Sequence, residues 1–72
     1  MLQRLERRWR DSGIEVPFER VNLHYLKGVV DVEVVLSLES VAGIEAAQHL
    51  SRQLAEATRQ EPLVGEVKVF YL

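Results

Sequence analysis

The stretch VNLHYLKGVVDVEVVLSL, residues 21–38, decides the fold of this chain because it predicts two strands joined by a tight turn. Apolar and polar residues alternate through residues 18–26, and a valine-rich run follows over residues 29–38. Lys27 and Gly28 form the two-residue turn, in which Gly28 supplies a positive φ. The stretch therefore predicts an antiparallel hairpin whose register is set by the turn.

Counting outward from a two-residue loop pairs His24 with Asp31 and Asn22 with Glu33. Because side chains alternate with a period of two, the hairpin divides into an apolar face and a mixed face. The predicted core face is apolar and holds Val21, Leu23, Tyr25, Val30, Val32, Val34 and Leu36. The mixed face holds Arg20, Asn22, His24, Leu26, Val29, Asp31, Glu33 and Val35.

Two helices and a third strand are predicted around the hairpin. Leu2, Leu5 and Trp9 lie on one stripe of a first helix that ends at residues 11–13. Ser40 is the predicted N-cap of a long second helix that reaches about residue 60. The apolar stripe of this helix is Ile44, Ala47, Leu50, Leu54 and Ala57. The last strand, residues 66–72, alternates Val67, Val69 and Tyr71 with Lys68, Phe70 and Leu72.

The order α-β-β-α-β predicts one α+β domain over residues 1–72, a two-layer ferredoxin-like (metallochaperone-like) sandwich. Both helices are needed to cover the core face, so the mixed face is left without a helix. We call it the uncovered face. Exposed apolar residues on so small a domain indicate an association surface, and we predict a homodimer. The residues predicted to form its interface are Leu26, Val29, Val35, Phe70 and Leu72.

Composition narrows the class of protein. The chain has 72 residues, 47% of them hydrophobic, which is typical of a folded domain. It has no cysteine and a net charge of −2, so we expect no disulfide, no thiolate metal site and no nucleic-acid partner. No apolar run is long enough for a membrane span or a signal peptide, and we expect a soluble, cytoplasmic protein. Four arginines on the first helix indicate either a solvated face or a position beneath a membrane.

We expect no enzymatic activity, because the glycines are scattered and the serines have no evident base partner. Metal binding has a more specific basis. His24 opposite Asp31, with Glu33 on the same side, could coordinate a divalent cation such as zinc, weakly. The alternative is a cross-strand hydrogen bond between His24 and Asp31 without any metal.

The order of elements and several motifs resemble the cytoplasmic C-terminal domain of cation diffusion facilitator metal transporters. "VNLHYLKG" and "VDVEVVL" match the hairpin of that family, "IEAAQHLSRQLAEA" its second helix, and "VKVFYL" its last strand. The resemblance extends from Val16 to the end of the chain. It implies a V-shaped homodimer beneath a transmembrane exporter of zinc or related ions, in which metal between the domains favours transport.

The metal ligands that the resemblance implies are nearly all replaced in this sequence. The first-strand histidine of the family falls at Val21 or Asn22, and the helix histidine falls on Ala47. The second-strand histidine falls on Glu33, which alone could still coordinate. The last-strand histidine and aspartate fall on Phe70 and Leu72, so we expect an apolar contact there and a dimer that needs no metal.

Two functions therefore remain open. The first is a non-catalytic dimerisation and regulatory domain of a zinc-type efflux transporter. The chain would then be either a stand-alone relative or a fragment. A fragment would be located at the cytoplasmic face of the inner membrane, with a transmembrane domain as partner. The second is a stand-alone ferredoxin-like module, similar to an ACT domain, for small-molecule binding or assembly. The glycine-rich ligand loop that would favour the second is missing from the sequence.

Overall fold

The computed structural model describes residues 1–15 and 17–72; Val16, where the resemblance begins, lies outside the described residues. The elements are α1 (Leu2–Asp11), β1 (Phe18–Leu26), β2 (Val29–Leu36), a short 3-10 turn (Leu38–Ser40), α2 (Ile44–Arg59) and β3 (Val64–Tyr71). The predicted α-β-β-α-β order is confirmed. Among the described residues, no helix combines the length and apolarity needed to cross a bilayer.

The sheet has the order β1-β2-β3, with β2 in the centre. β1 and β2 are antiparallel, and the predicted pairs His24–Asp31 and Asn22–Glu33 are confirmed. The turn between them has φ of 40° at Lys27 and 88° at Gly28, both positive as a type I′ turn requires. β3 lies parallel to β2, because α2 returns the chain to the same end of the sheet before β3 begins.

Both helices pack on the predicted core face. Trp9 of α1 is 1% exposed, and its indole nitrogen Nε1 donates to Oγ1 of Thr58 in α2 at 2.8 Å. The Thr58 hydroxyl in turn donates to the Leu54 carbonyl oxygen at 2.6 Å, so both polar groups are satisfied inside the core. The core is formed by Leu5, Trp9, Ile14, Val30, Val32, Val34, Leu36, Leu50, Leu54 and Ala57.

The start of α2 differs from the prediction. Ser40 is not its N-cap: the helix begins at Ile44 with Gly43 as the cap residue. The Ser40 hydroxyl donates instead to the Ser37 carbonyl oxygen at 2.6 Å, and the Ser37 hydroxyl accepts from the Glu39 N–H at 3.2 Å. These local hydrogen bonds stabilise the 3-10 turn in place of a helix start. Ile44 is therefore in the first turn of α2 and 77% exposed, not part of the core stripe.

Strand ends differ from the prediction as well. β2 ends at Leu36 instead of residue 38, where the 3-10 turn begins. β3 begins at Val64 instead of residue 66, because Val64 already pairs with Val30. Tyr25 lies on the predicted core face but is 68% exposed, since it sits next to the turn, at the edge of a cleft that opens to solvent.

Candidate functional site

The uncovered face of the sheet holds the candidate site, because both helices pack on the opposite face. Each strand contributes alternate side chains to it, and the strand register places them side by side. The centre of the face is polar and its two ends are apolar. The polar residues at the centre are Asn22, His24, Asp31, Glu33, Glu66 and Lys68.

The polar centre is a shallow cleft of about 110 Å³. Glu33 accepts a hydrogen bond from the Asn22 side-chain amide, 3.1 Å from Nδ2 to Oε1. Asp31 accepts from the backbone N–H of Glu66, with 2.9 Å between Oδ1 and N. Each carboxylate therefore already has a partner within the chain, and the predicted hydrogen bond between His24 and Asp31 is replaced by the one to Glu66.

The contact of Asp31 with β3 depends on Gly65. A Cβ atom at Gly65 would lie 2.7 Å from Oδ1 of Asp31, closer than atoms can approach without displacement. The strand pairing is irregular at this point, and the Asp31 carboxylate satisfies the N–H that the irregularity frees from the ladder. Asp31 thus has a structural role that the alternation of side chains along the strand did not indicate.

Gly65→Ala is expected to lower the free energy of unfolding by about 1 kcal/mol, because the added methyl group displaces the Asp31 carboxylate and breaks its hydrogen bond to Glu66. Urea denaturation measures the loss. The matched control is Gly65→Ala in an Asp31→Ala background, where the carboxylate is gone and the substitution should cost close to nothing. Equal losses in the two backgrounds would show that Gly65 acts independently of Asp31.

The metal site predicted from His24, Asp31 and Glu33 stays a prediction. The three side chains lie on one face, and all three line the shallow cleft. Within residues 1–15 and 17–72, however, no group of three or more His, Cys, Asp or Glu side chains is arranged to hold a metal ion.

The predicted interface residues lie at the two ends of the uncovered face. Leu26 and Val29 pair across the turn and are 54% and 43% exposed. Phe70 and Leu72 lie at the other end, 46% and 73% exposed. Val35 differs, since it is only 7% exposed: it lies on the central strand between Arg20 of β1 and Phe70 of β3, whose side chains flank it. Four of the five predicted residues are therefore available to a partner.

Sequence reasoning missed one apolar residue at this end of the sheet. Leu38 is 56% exposed, and its N–H donates to the Leu72 carbonyl oxygen at 2.8 Å, which extends the apolar end beyond β3. The prediction placed Leu38 inside the second strand, so its position in a turn beside the end of β3 was not expected. The serines on either side of it, at 37 and 40, are the local signal for that turn.

Comparison with known proteins gives one kind of match. No family model matches the chain, and no curated protein matches it. Solved structures match over its whole length. "MamM-CTD 215-293" superimposes with a TM-score of 0.71 at 10% identity, covering 100% of this chain and 98% of that one. A triply substituted MamM CTD gives 0.71 at 12% identity, with 99% and 93% covered.

MamM-CTD is the C-terminal domain of a cation diffusion facilitator transporter. At 10–12% identity the match is a match of folds, extending over both helices and all three strands. The resemblance that the motifs of the hairpin, the second helix and the last strand indicated is confirmed at this level. The chain has the ferredoxin-like fold of the cation diffusion facilitator C-terminal domain, as represented by MamM.

Proposed function

We propose that this chain is the non-catalytic, cytoplasmic dimerisation and regulatory domain of a zinc-type cation efflux transporter. The observation that carries the proposal is the placement of Phe70 and Leu72. Both are exposed apolar residues on the uncovered face of a fold that matches MamM-CTD from end to end. A transmembrane domain is the expected second partner.

The chemistry of the uncovered face supports association through apolar contact. Phe70, Leu72 and Leu38 form an apolar end to the sheet, and exposed side chains of this kind gain free energy when a partner removes them from water. Phe70 and Leu72 stand where the resemblance implies a histidine and an aspartate. We therefore propose that the two copies pack without metal, so that association is constitutive instead of being triggered by zinc.

The size of the central cleft argues against a small-molecule site at the centre of the uncovered face. At about 110 Å³ the cleft is smaller than the ~300–1,000 Å³ typical of ligand pockets. Its carboxylates are also engaged within the chain by Asn22 and by the Glu66 N–H. Neither observation favours a bound metabolite at this face, whereas a flat, partly apolar sheet face fits a second copy of the chain.

Sedimentation equilibrium in the presence of a chelator tests the proposal. We expect a dimer of the wild-type chain, and Phe70→Asp is expected to raise the dimer dissociation constant roughly a thousandfold. This magnitude assumes about 2 kcal/mol for each of two symmetric apolar anchors. The matched control is Ile44→Asp, which places the same charge on a more exposed apolar residue of the helix layer and should leave the dimer intact.

Two results would contradict metal-independent dimerisation. A chain that stays monomeric in chelator and in zinc would exclude a homodimer. A chain that dimerises only when zinc is added would show that metal holds the copies together. In that case Glu33→Ala and His24→Ala should remove the response to zinc, which would support the predicted metal site.

A further inference from the structure

The end of the domain at the β1–β2 turn carries a second surface, which overlaps the predicted dimer interface only at Leu26 and Val29. A cleft of about 440 Å³ opens there between the hairpin turn, the first turn of α1 and the loop that leads into β3. We call this region the hairpin tip. It is lined by Met1, Arg4, Tyr25, Leu26, Lys27, Gly28, Val29, Val30 and Leu63.

Large apolar side chains of the hairpin tip remain in water. Tyr25, Leu26 and Leu63 are 68%, 54% and 53% exposed. The N–H of Val30 donates to the Leu63 carbonyl oxygen at 2.8 Å, which holds the loop that carries Leu63 against the hairpin. The two-residue turn and this hydrogen bond place all three residues along one cleft at one end of the molecule.

The charge of the hairpin tip is opposite to that of the chain. The whole chain has a net charge of −2, yet the residues lining the tip include Arg4 and Lys27 and no acidic side chain. Lys27 is exposed and forms no ion pair with any described residue. Arg4 lies 3.7 Å from the Glu61 carboxylate, but its side chain is 71% exposed and can also reach an external anion.

We propose that the hairpin tip docks on the surface of an anionic phospholipid bilayer. Tyr25, Leu26 and Leu63 would enter the headgroup region, where amphipathic aromatic and aliphatic side chains are stabilised. Lys27 and Arg4 would lie against lipid phosphates. The combination of exposed apolar side chains with flanking cations, on a chain that is acidic overall, matches the chemistry of an anionic bilayer surface.

The positive charge of the hairpin tip also favours a bilayer over the other candidate partner, a second copy of the chain. A two-fold contact centred on the hairpin tip would place Lys27 and Arg4 of one copy against the same residues of the other. Like charges facing each other oppose such a contact. The bilayer offers phosphate at the same position. Leu26 and Val29 line the tip and are also among the predicted interface residues, so the docking is tested on Tyr25, Leu63 and Lys27, which are outside the predicted interface.

Co-sedimentation of the full chain with phosphatidylcholine vesicles, with and without phosphatidylglycerol, tests the docking. We expect binding to the anionic vesicles that weakens as salt is added, and much less binding to pure phosphatidylcholine. Lys27→Asn removes the charge but keeps a favoured Asn-Gly turn, and should lower partitioning about fivefold. Tyr25→Ser combined with Leu63→Ser should lower it at least about tenfold.

Matched controls distinguish the hairpin tip from the rest of the surface. Ile44→Ser removes a more exposed apolar side chain from α2, and Arg52→Asn removes an exposed cation there. Each should change partitioning less than about twofold. Thermal unfolding of each variant verifies that it is folded. Failure of the wild-type chain to bind anionic vesicles would overturn the proposal, as would an equal loss in the controls. So would dissociation of the dimer by the tip variants, since the tip would then be a contact between copies.

Discussion

Trp9→Ala is expected to remove a large part of the free energy of unfolding of the protein. Truncating a fully buried tryptophan costs about 3–5 kcal/mol, whereas a chain of 72 residues has a total stability of about 4–11 kcal/mol. Trp9 is 1% exposed, and its ring packs against Phe18 with 4.7 Å between ring centroids. It connects α1 to β1 through Phe18 and to α2 through Thr58, so α1 should be released first.

Chemical denaturation followed by circular dichroism measures the effect of Trp9→Ala. The matched control is Trp9→Phe, which keeps most of the ring but loses the hydrogen bond from Nε1 to the Thr58 hydroxyl. We expect Trp9→Phe to fold and to lose about 1–2 kcal/mol, since Thr58 still donates to the Leu54 carbonyl oxygen. A free energy of unfolding of Trp9→Ala that lies within about 1 kcal/mol of the wild-type value would contradict the packing of Trp9 in the core.

Arg8→Ala is expected to lower the free energy of unfolding by about 2–3 kcal/mol, because it leaves the carboxylate of Glu61 buried without its nearest cation. The Glu61 side chain is only 6% exposed, and it accepts from Nε of Arg8. Breaking a fully buried pair would cost about 3–5 kcal/mol, but the Arg8 side chain is 36% exposed, so water reduces the loss. Arg4, at 3.7 Å, compensates only in part.

Two controls separate the ion pair from the general effect of losing a positive charge. Arg7→Ala removes an exposed arginine from the same helix and should change stability by less than about 0.5 kcal/mol. Glu61→Gln in the Arg8→Ala background removes the buried charge and should restore part of the loss. Urea denaturation midpoints of these variants measure the contribution of the ion pair. If Arg8→Ala and Arg7→Ala lower the free energy of unfolding by the same amount, the ion pair contributes no stability of its own.

The hairpin illustrates which part of the fold can be predicted from sequence. Its register depends on a two-residue turn and on the alternation of side chains, both of which are local properties. His24 therefore pairs with Asp31 as predicted, and Val35 lies on the predicted face. The start of α2 is also set locally. The hydroxyls of Ser37 and Ser40 form hydrogen bonds within the 3-10 turn, so Ser40 is not available as the N-cap of the helix.

The candidate site was predictable only in outline. Strand parity placed Phe70 and Leu72 on the uncovered face, and both are exposed there. Parity could not show that Val35 on the same face is already buried by its neighbours. The separation of 34 residues between Gly65 and Asp31 explains why their contact had no sequence signal (65 − 31 = 34). The hairpin tip was missed for the same reason, since Leu63 joins it from a distant loop.

The sequence by itself determined the order of elements, the hairpin register and the division of the sheet into an apolar and a mixed face, because periodicity and turn chemistry act between near neighbours. The tertiary structure alone decided which side chains meet across long separations. It brought Trp9 to Thr58, Arg8 to Glu61 and Leu63 to the hairpin. It also decided which apolar residues remain exposed to solvent, since the exposure of a side chain depends on which other elements pack against it in the folded chain.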